Sequence, residues 1–94
     1  AMAQPRNLII HVDGAQEEYS AADGKHYTLD ELKKAIGGGY IEIVKTRDGR
    51  IMVLDEEGKL KGFPINRVAT ALYLYGAQDP IVGDVLVCED QLID

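Results

Sequence analysis

Tyr40, Glu42, Lys61 and Arg67 are the side chains of this sequence whose types best suit chemistry on a ligand. A phenol, a carboxylate, an amine and a guanidinium in one pocket could move protons or hold charged groups of a bound molecule. Nothing in their spacing requires catalysis, so an enzyme that processes a small molecule is the least favoured hypothesis.

Glu42 and Tyr40 share one face of a predicted strand, and Lys61 belongs to a predicted strand nearby. Such a face could offer mixed charges to a ligand. The simpler interpretation is the solvated side of an antiparallel sheet, because these sheets commonly expose one polar face.

Asn66 and Arg67 follow Pro64 at the start of a predicted helix. Asn is a good N-cap, and we favour that role for Asn66. The alternative is that Arg67 and the amides of the first turn hold an anion, such as a phosphate or a partner carboxylate.

The other reactive types are better explained by structure. Gly37–Gly39 follow a helix rather than precede one, so they predict a helix stop and not a phosphate loop. His11 and His26 lack a metal-ligand spacing, and His11 is expected on a strand surface. Cys88 has apolar neighbours and is expected to be buried and inert, and Asp55–Glu57 predict a solvated turn.

Tyr73 and Tyr75, with Leu72 and Leu74, make the second predicted helix apolar nearly all round. One side must enter the core. The other is either covered by strands or forms an interface, for instance in a homodimer, because monomers rarely expose large apolar patches.

Several elements must position these residues. Alternation predicts strands, and a Thr28–Glu31 capping box with Gly37 predicts a helix start and stop. The predicted elements are a strand in Asn7–Val12, a short strand in Glu17–Ser20, a helix from Thr28 to Gly37, a three-stranded meander (Tyr40–Lys45, Arg50–Leu54, Leu60–Phe63), a helix Arg67–Tyr75 closed by Gly76, and a strand Val85–Cys88.

No internal linker interrupts these elements, so residues 1–94 are expected to form one domain. Residues 1–6 are an expected N-terminal tail, in which Ala1 before Met2 suggests a cloning remnant, and residues 90–94 an expected C-terminal tail. The predicted class is α+β, with a mostly antiparallel sheet (the meander plus N- and C-terminal strands) and two helices.

The chain has 16 acidic and 10 basic residues, a net charge of −6. The excess is concentrated in residues 76–94, which hold five acids and no base. This disfavours direct sequence-specific binding of nucleic acid and docking on anionic lipid, both of which need a basic face. The same segment could instead mimic nucleic acid, and Asp79 and Asp84 belong to it.

Apolar runs such as Ile51–Leu54 are far shorter than the roughly 20 residues that span a bilayer, and no signal peptide is evident. One cysteine cannot form an internal disulfide, so a reducing, cytoplasmic location is expected. The sequence predicts neither a cofactor nor a metal.

Four short motifs carry a family resemblance: Gly38–Glu42, Asp55–Leu60, Pro64–Asn66 and Ile81–Val85. In this order they resemble domain of unknown function family 3846, over about residues 27–88. The resemblance implies a small accessory protein of phages, plasmids or other mobile elements, which would act in the cytoplasm of a bacterial host, and it implies no catalytic residue. Some anti-CRISPR proteins look distantly similar.

We therefore expect a non-catalytic accessory binding protein, with counter-defence as one role. Its partner would be a host protein, such as a CRISPR effector, or a sequestered small molecule; the alternative is a small structural or regulatory homo-oligomer. The candidate ligand- or partner-binding residues are Tyr40, Glu42, Lys61, Asn66, Arg67, Tyr73, Tyr75, Asp79 and Asp84.

Overall fold

A single antiparallel sheet organises the chain. The structure is a computed structural model that describes residues 5–93. In chain order its elements are β1 (Leu8–Ile10), β2 (Gln16–Glu18), α1 (Leu29–Ile36), β3 (Ile41–Lys45), β4 (Ile51–Asp55), α2 (Arg67–Leu72), β5 (Val85–Cys88) and a 3₁₀ turn (Asp90–Leu92). The strands lie in the order β2-β1-β5-β4-β3. The predicted α+β class with an antiparallel sheet and two helices is confirmed.

The sheet is the middle of three layers. Every residue of β1, β4 and β5 is buried, because α1 covers one face and α2 the other. Side chains alternate between the two faces along each strand. The α1 face is built around Ile9, Val53, Leu86 and Cys88, and the α2 face around Ile10, Met52, Leu54, Val85 and Val87.

The first helix has the ends that its sequence predicts. The Thr28 hydroxyl accepts from the Glu31 amide, and the Glu31 carboxylate accepts from the Thr28 amide. Gly37 ends α1 in the left-handed conformation, with φ of 87°. Both ends are set within a few residues of sequence, so local rules suffice to place them.

The predicted third strand of the meander, Leu60–Phe63, is wrong. This segment forms turns closed by local hydrogen bonds from Lys61 to Glu57 and from Phe63 to Gly58. Leu60 is 87% exposed. The free side of β4 pairs instead with β5, whose four residues are all buried there. A strand with more apolar surface to bury displaces one whose sequence favours a turn.

The second helix is shorter than its apolar pattern predicts. It ends at Leu72 rather than Tyr75, because Tyr73 has an extended backbone with φ −65° and ψ 136°. The chain then lies along the end of β3, where the Arg47 amide donates to Leu72 and the Leu74 amide donates to Lys45. These edge hydrogen bonds compete with further helical turns, so Tyr75 lies outside the helix.

The ends of the described chain also pack. The Tyr27 amide donates to the Leu92 carbonyl, and Leu92 and Ile93 pack against the α1 side of the core. Arg6 forms an ion pair with Glu89 at 2.6 Å. In residues 5–93, no helix is long and apolar enough to cross a membrane.

Candidate functional site

A cavity of about 170 Å³ opens beside β3 on the α2 side of the sheet. Its floor is apolar apart from one buried carboxylate, and its rim carries three exposed carboxylates and one amine. The lining comes from β3 (Glu42, Val44), the end of β4 and the following turn (Leu54, Asp55, Glu56, Lys59), Tyr73, and Asp79–Val82.

Strand pairing positions the sheet side of this cavity. Glu42 lies directly opposite Leu54 in the β3–β4 register, so their side chains project from the same face. Val44, two residues further along β3, projects on that face too. The Glu56 amide donates to the Tyr40 carbonyl at 2.9 Å and fixes the turn that carries the Glu56 carboxylate.

Tyr73 forms the wall opposite the acidic turn. Its backbone bridges to Thr46, which holds the residue beside the end of β3. Its ring meets that of Tyr75 edge to face, with centroids 5.9 Å apart. Tyr73 is half-buried, whereas Tyr75 is 60% exposed and extends this aromatic wall toward solvent.

Two ion pairs neutralise part of the negative charge of the cavity lining. The Lys59 amine pairs with Asp79, and the Lys61 amine lies 2.6 Å from Asp55, whose side chain is almost completely buried. Burial alone would raise the pKa of Asp55. Hydrogen bonds from the Lys61 amine and the Glu57 amide, with the attraction of the Lys61 charge, outweigh it and hold the pKa below its ordinary value.

Glu42 and Glu56 supply the net charge of the cavity. Both side chains are exposed, and neither takes part in an ion pair within residues 5–93. The cavity therefore combines two uncompensated carboxylates, a tyrosine ring and an apolar floor. These groups suit a cationic guest with an apolar stem, such as an arginine or lysine side chain.

Three of the predicted binding residues thus meet at one place: Glu42, Tyr73 and Asp79 all line the cavity. Tyr75 touches it through Tyr73. Tyr40 precedes β3 with its side chain 66% exposed, and its ring is not part of the lining.

Lys61 and Arg67 do not line the cavity, so the pocket of Tyr40, Glu42, Lys61 and Arg67 that the enzyme hypothesis needs is not assembled. Lys61 is engaged with Asp55, and Arg67 is exposed at the start of α2.

Asn66 belongs to the core rather than to a ligand site. It is completely buried. Its Oδ1 accepts from the Ala69 amide, as an N-cap should, while its Nδ2 donates to the carbonyls of Ile10 and Gly83, both at 2.9 Å. The side chain therefore ties α2 to β1 and to the loop before β5, and the capping interpretation is confirmed.

Asp84 forms a second cluster, which sequence reasoning missed. The ring of His11 lies between Asp84 and Glu17, with each ring nitrogen 2.8 Å from a carboxylate oxygen. His11 was expected on a strand surface; it directly follows β1 with about one-third of its side chain exposed, and its two carboxylate partners were not predicted. No local signal could find this contact, because 73 positions separate His11 from Asp84.

The acidic C-terminal segment is partly compensated. Asp79 pairs with Lys59, Asp84 with His11 and Glu89 with Arg6. Asp94 lies outside the described residues. Asp90 is exposed and takes part in no ion pair within residues 5–93. Ion pairs therefore offset part of the charge excess of residues 76–94, whereas the two uncompensated carboxylates of the cavity come from β3 and the turn after β4.

Among residues 5–93, no group of three or more histidine, cysteine, aspartate or glutamate side chains is arranged to hold a metal ion.

The chain matches the model of the family described as domain of unknown function DUF3846 over residues 6–92. The chain belongs to this family. The matched region includes β1, both helices and β5, and so extends well beyond the four motifs that carry the resemblance. No curated protein and no solved structure gives a significant match. Membership in the DUF3846 family assigns no activity.

Proposed function

We propose that this protein is a non-catalytic binding protein whose cavity beside β3 anchors a basic side chain of a partner protein. The observation that carries the proposal is the composition of that cavity. Its floor is largely apolar, Tyr73 contributes to its wall, and the carboxylates of Glu42 and Glu56 form no ion pair within residues 5–93.

The size of the cavity favours a side chain over a whole metabolite. At about 170 Å³ it is smaller than the roughly 300–1,000 Å³ of typical small-molecule sites. A group that enters the cavity would therefore be a side chain of a larger molecule, such as a partner protein. Sequestration of a free small molecule is therefore the less favoured form of the binding hypothesis.

Charge supports the same choice of partner. A chain of net charge −6 attracts basic surfaces over several ångströms before contact. Tyr75 and Tyr40, exposed next to the cavity, are of the residue type that contributes most to protein interfaces.

The biological form of the proposal is an accessory protein of a phage or another mobile element. Counter-defence is its sharpest version: the protein would block a host protein, such as a CRISPR effector, by occupying a groove whose arginines and lysines otherwise bind phosphates. The acid excess and the small size support this version, and partner binding should then weaken steeply with salt.

The test uses blocked arginine, N-acetyl-arginine amide, as a probe in a two-dimensional NMR titration. We expect shifts of the amides of Glu42, Leu54, Tyr73 and Ile81. The double variant Glu42→Gln with Glu56→Gln should remove them. The control Glu18→Gln with Asp30→Asn changes net charge equally at exposed positions elsewhere, and it should leave them unchanged. Equal loss in both variants, or shifts spread over the whole surface, would contradict an anchoring cavity.

A homo-oligomer is the second candidate, favoured by the exposure of Val68, Leu74 and Tyr75 on or just after α2, at 38%, 40% and 60%. Light scattering on Val68→Ser with Tyr75→Ser tests it. A folded variant with an unchanged mass would reject this candidate.

A further inference from the structure

The outer edge of β3 carries backbone groups that no other part of the described chain pairs. Tyr40 and Thr46 bond to the β4 side, through Glu56 and Arg50. Because antiparallel strands alternate between inward- and outward-facing residues, Glu42 and Val44 also face β4, while Ile41, Ile43 and Lys45 face outward. The Lys45 carbonyl confirms this direction, since it accepts from Leu74 rather than from β4.

Part of this edge is already extended by the chain itself. Leu72–Leu74 lies along it and bonds to Lys45 and Arg47. That leaves the amides and carbonyls of Ile41 and Ile43 without a protein partner among residues 5–93. The protein thus shows, on its own edge, that β3 accepts an added strand.

The two edge strands of the sheet differ in how well their side chains discourage pairing with another chain. β2 at the far edge reads Gln16–Glu18 and is exposed and polar throughout. Such charge discourages pairing with another chain. β3 has isoleucines at two of its three outward-facing positions, and Ile43 is 45% exposed; the third, Lys45, already pairs with Leu74. An edge of this kind is open to strand addition.

We propose that β3 takes up an extended segment of a partner protein in which apolar and basic residues alternate. Residues placed opposite Ile41 and Ile43 would share the α1 side of the sheet and cover the exposed isoleucine. Residues placed opposite Glu42 would share the cavity side, where Glu42 and Glu56 complement a positive charge. The requirement for basic residues rests on the proposed function. The pairing of backbone groups rests only on the unpaired edge of β3.

A second copy of the chain fits this edge less well. When Ile41 pairs with Ile43 of an antiparallel copy, Glu42 meets Glu42 directly across the pair. Like charges in that position are destabilising. A basic segment removes this repulsion, so we assign the edge to a foreign strand.

The probe is an acetylated, amidated hexapeptide of alternating arginine and valine, used with the whole protein. Calorimetry or fluorescence titration compares it with two isomers, one N-methylated on its valines and the other on its arginines. When the valines lie opposite Ile41 and Ile43, their amides point at β3 and the arginine amides point away. We expect methylation of the valines to weaken binding roughly tenfold or more, and methylation of the arginines to change it less than about twofold.

The protein variant Ile43→Pro provides a matched measurement. It removes an outward amide that β4 does not use, so circular dichroism should show an intact sheet while peptide binding falls. Should this variant fail to fold, the two methylated peptides still decide the question on the unaltered protein.

The possible outcomes distinguish strand addition at β3 from the proposed anchoring of a basic side chain in the cavity. If both isomers bind equally but Glu42→Gln with Glu56→Gln weakens binding, strand addition is wrong and the charged cavity stands. Position-dependent methylation without a charge effect supports strand addition and removes the cationic anchor. Absence of binding at millimolar peptide, or a dimer that Ile43→Pro dissociates, overturns the foreign-strand proposal.

Discussion

The ring of His11 is hydrogen-bonded to the carboxylate of Asp84, and this contact joins the chain after β1 to the loop before β5. The His11 ring Nδ1 lies 2.8 Å from Oδ2 of Asp84, and the Val12 amide donates to Oδ1 at 2.9 Å. Glu17 of β2 occupies the other side of the ring, 2.8 Å from Nε2. A protonated ring donates from both nitrogens at once, whereas a neutral ring donates from only one, so two carboxylate partners favour the imidazolium form.

This arrangement makes stability depend on pH. The hydrogen bond with Asp84, then that with Glu17, raises the pKa of His11 above its ordinary value. A raised folded-state pKa gives a contribution that is complete below the unfolded pKa of about 6.5 and is lost as pH rises through the folded value. Because the ring is one-third exposed, we expect a contribution of about 1 kcal/mol or less.

We therefore predict that the free energy of unfolding of the unaltered protein falls as pH rises above about 6.5, and that it falls more than that of a His11→Gln variant. Urea denaturation at a series of pH values measures it. The variant His26→Gln is the control, because the His26 side chain takes no part in this cluster, and it should keep the decline. Parallel curves for the unaltered protein and His11→Gln would disprove the linkage.

Replacement of Asn66 by alanine should be among the most damaging single changes to the fold. It removes the N-cap of α2 and leaves the carbonyls of Ile10 and Gly83 without their side-chain donor in the core. Loss of a cap and of two buried hydrogen bonds should cost about 3 kcal/mol or more.

Chemical denaturation of Asn66→Ala and of Arg67→Ala compares neighbours with opposite environments. Arg67 is exposed, so its replacement should change the free energy of unfolding by less than about 0.5 kcal/mol. If the two variants unfold at the same urea concentration, the three contacts of Asn66 contribute little to stability.

Local signals in the sequence predict the elements that local interactions fix. The capping box at Thr28 and the left-handed Gly37 bound α1, and the apolar run Val85–Cys88 is itself β5. In each, the residues that decide the structure lie within a few positions of one another.

The errors arise where distant segments compete. The strand predicted for Leu60–Phe63 loses its place to β5, and the last turn of the predicted second helix gives way to pairing with Lys45 and Arg47. Periodicity indicates which residues are favourably buried, but it does not indicate which of two candidate strands pairs with β4.

The candidate site shows the same limit. Glu42, Tyr73 and Asp79 are identifiable as exposed chemistry on predicted elements, and they meet in one cavity. The sequence predicts only a solvated turn at Glu56. Its place in the cavity is not predictable locally, because only the fold brings that turn beside β3. Net charge along the sequence was equally incomplete, since it cannot show that Asp79 and Asp84 have basic partners.

Cys88 should be unreactive in the folded protein. Its side chain is completely buried, and burial, with the nearby Glu89 charge, raises its pKa to about 12. We expect its reaction with Ellman's reagent at pH 8 to be about a thousandfold slower than that of a free thiol, because so little thiolate is present. In denaturing urea the rate should rise to that of glutathione. Rapid modification without denaturant would show that the core around β5 opens.

Gly39 approaches the Asp55–Lys61 ion pair so closely that a side chain there should disturb it. A Cβ at this position would lie 2.7 Å from the Lys61 amine and 2.8 Å from Oδ2 of Asp55. Gly38 has a similar positive φ, 99° against 88°, but a Cβ there meets nothing within 4 Å. Both alanine variants pay for the left-handed backbone, about 1–2 kcal/mol, and only Gly39→Ala also displaces Lys61 from its buried partner.

We predict that Gly39→Ala lowers the free energy of unfolding by about 1–2 kcal/mol more than Gly38→Ala does, measured by urea denaturation at neutral pH. The excess should shrink in acid, because the pKa of Asp55 is lowered in the folded state and its ion pair stabilises the fold only above the folded value. In an Asp55→Ala background, which removes both the charge and the crowded carboxylate, the two glycine variants should become nearly equal. An excess that persists there would mean that Gly39 is needed for backbone packing alone.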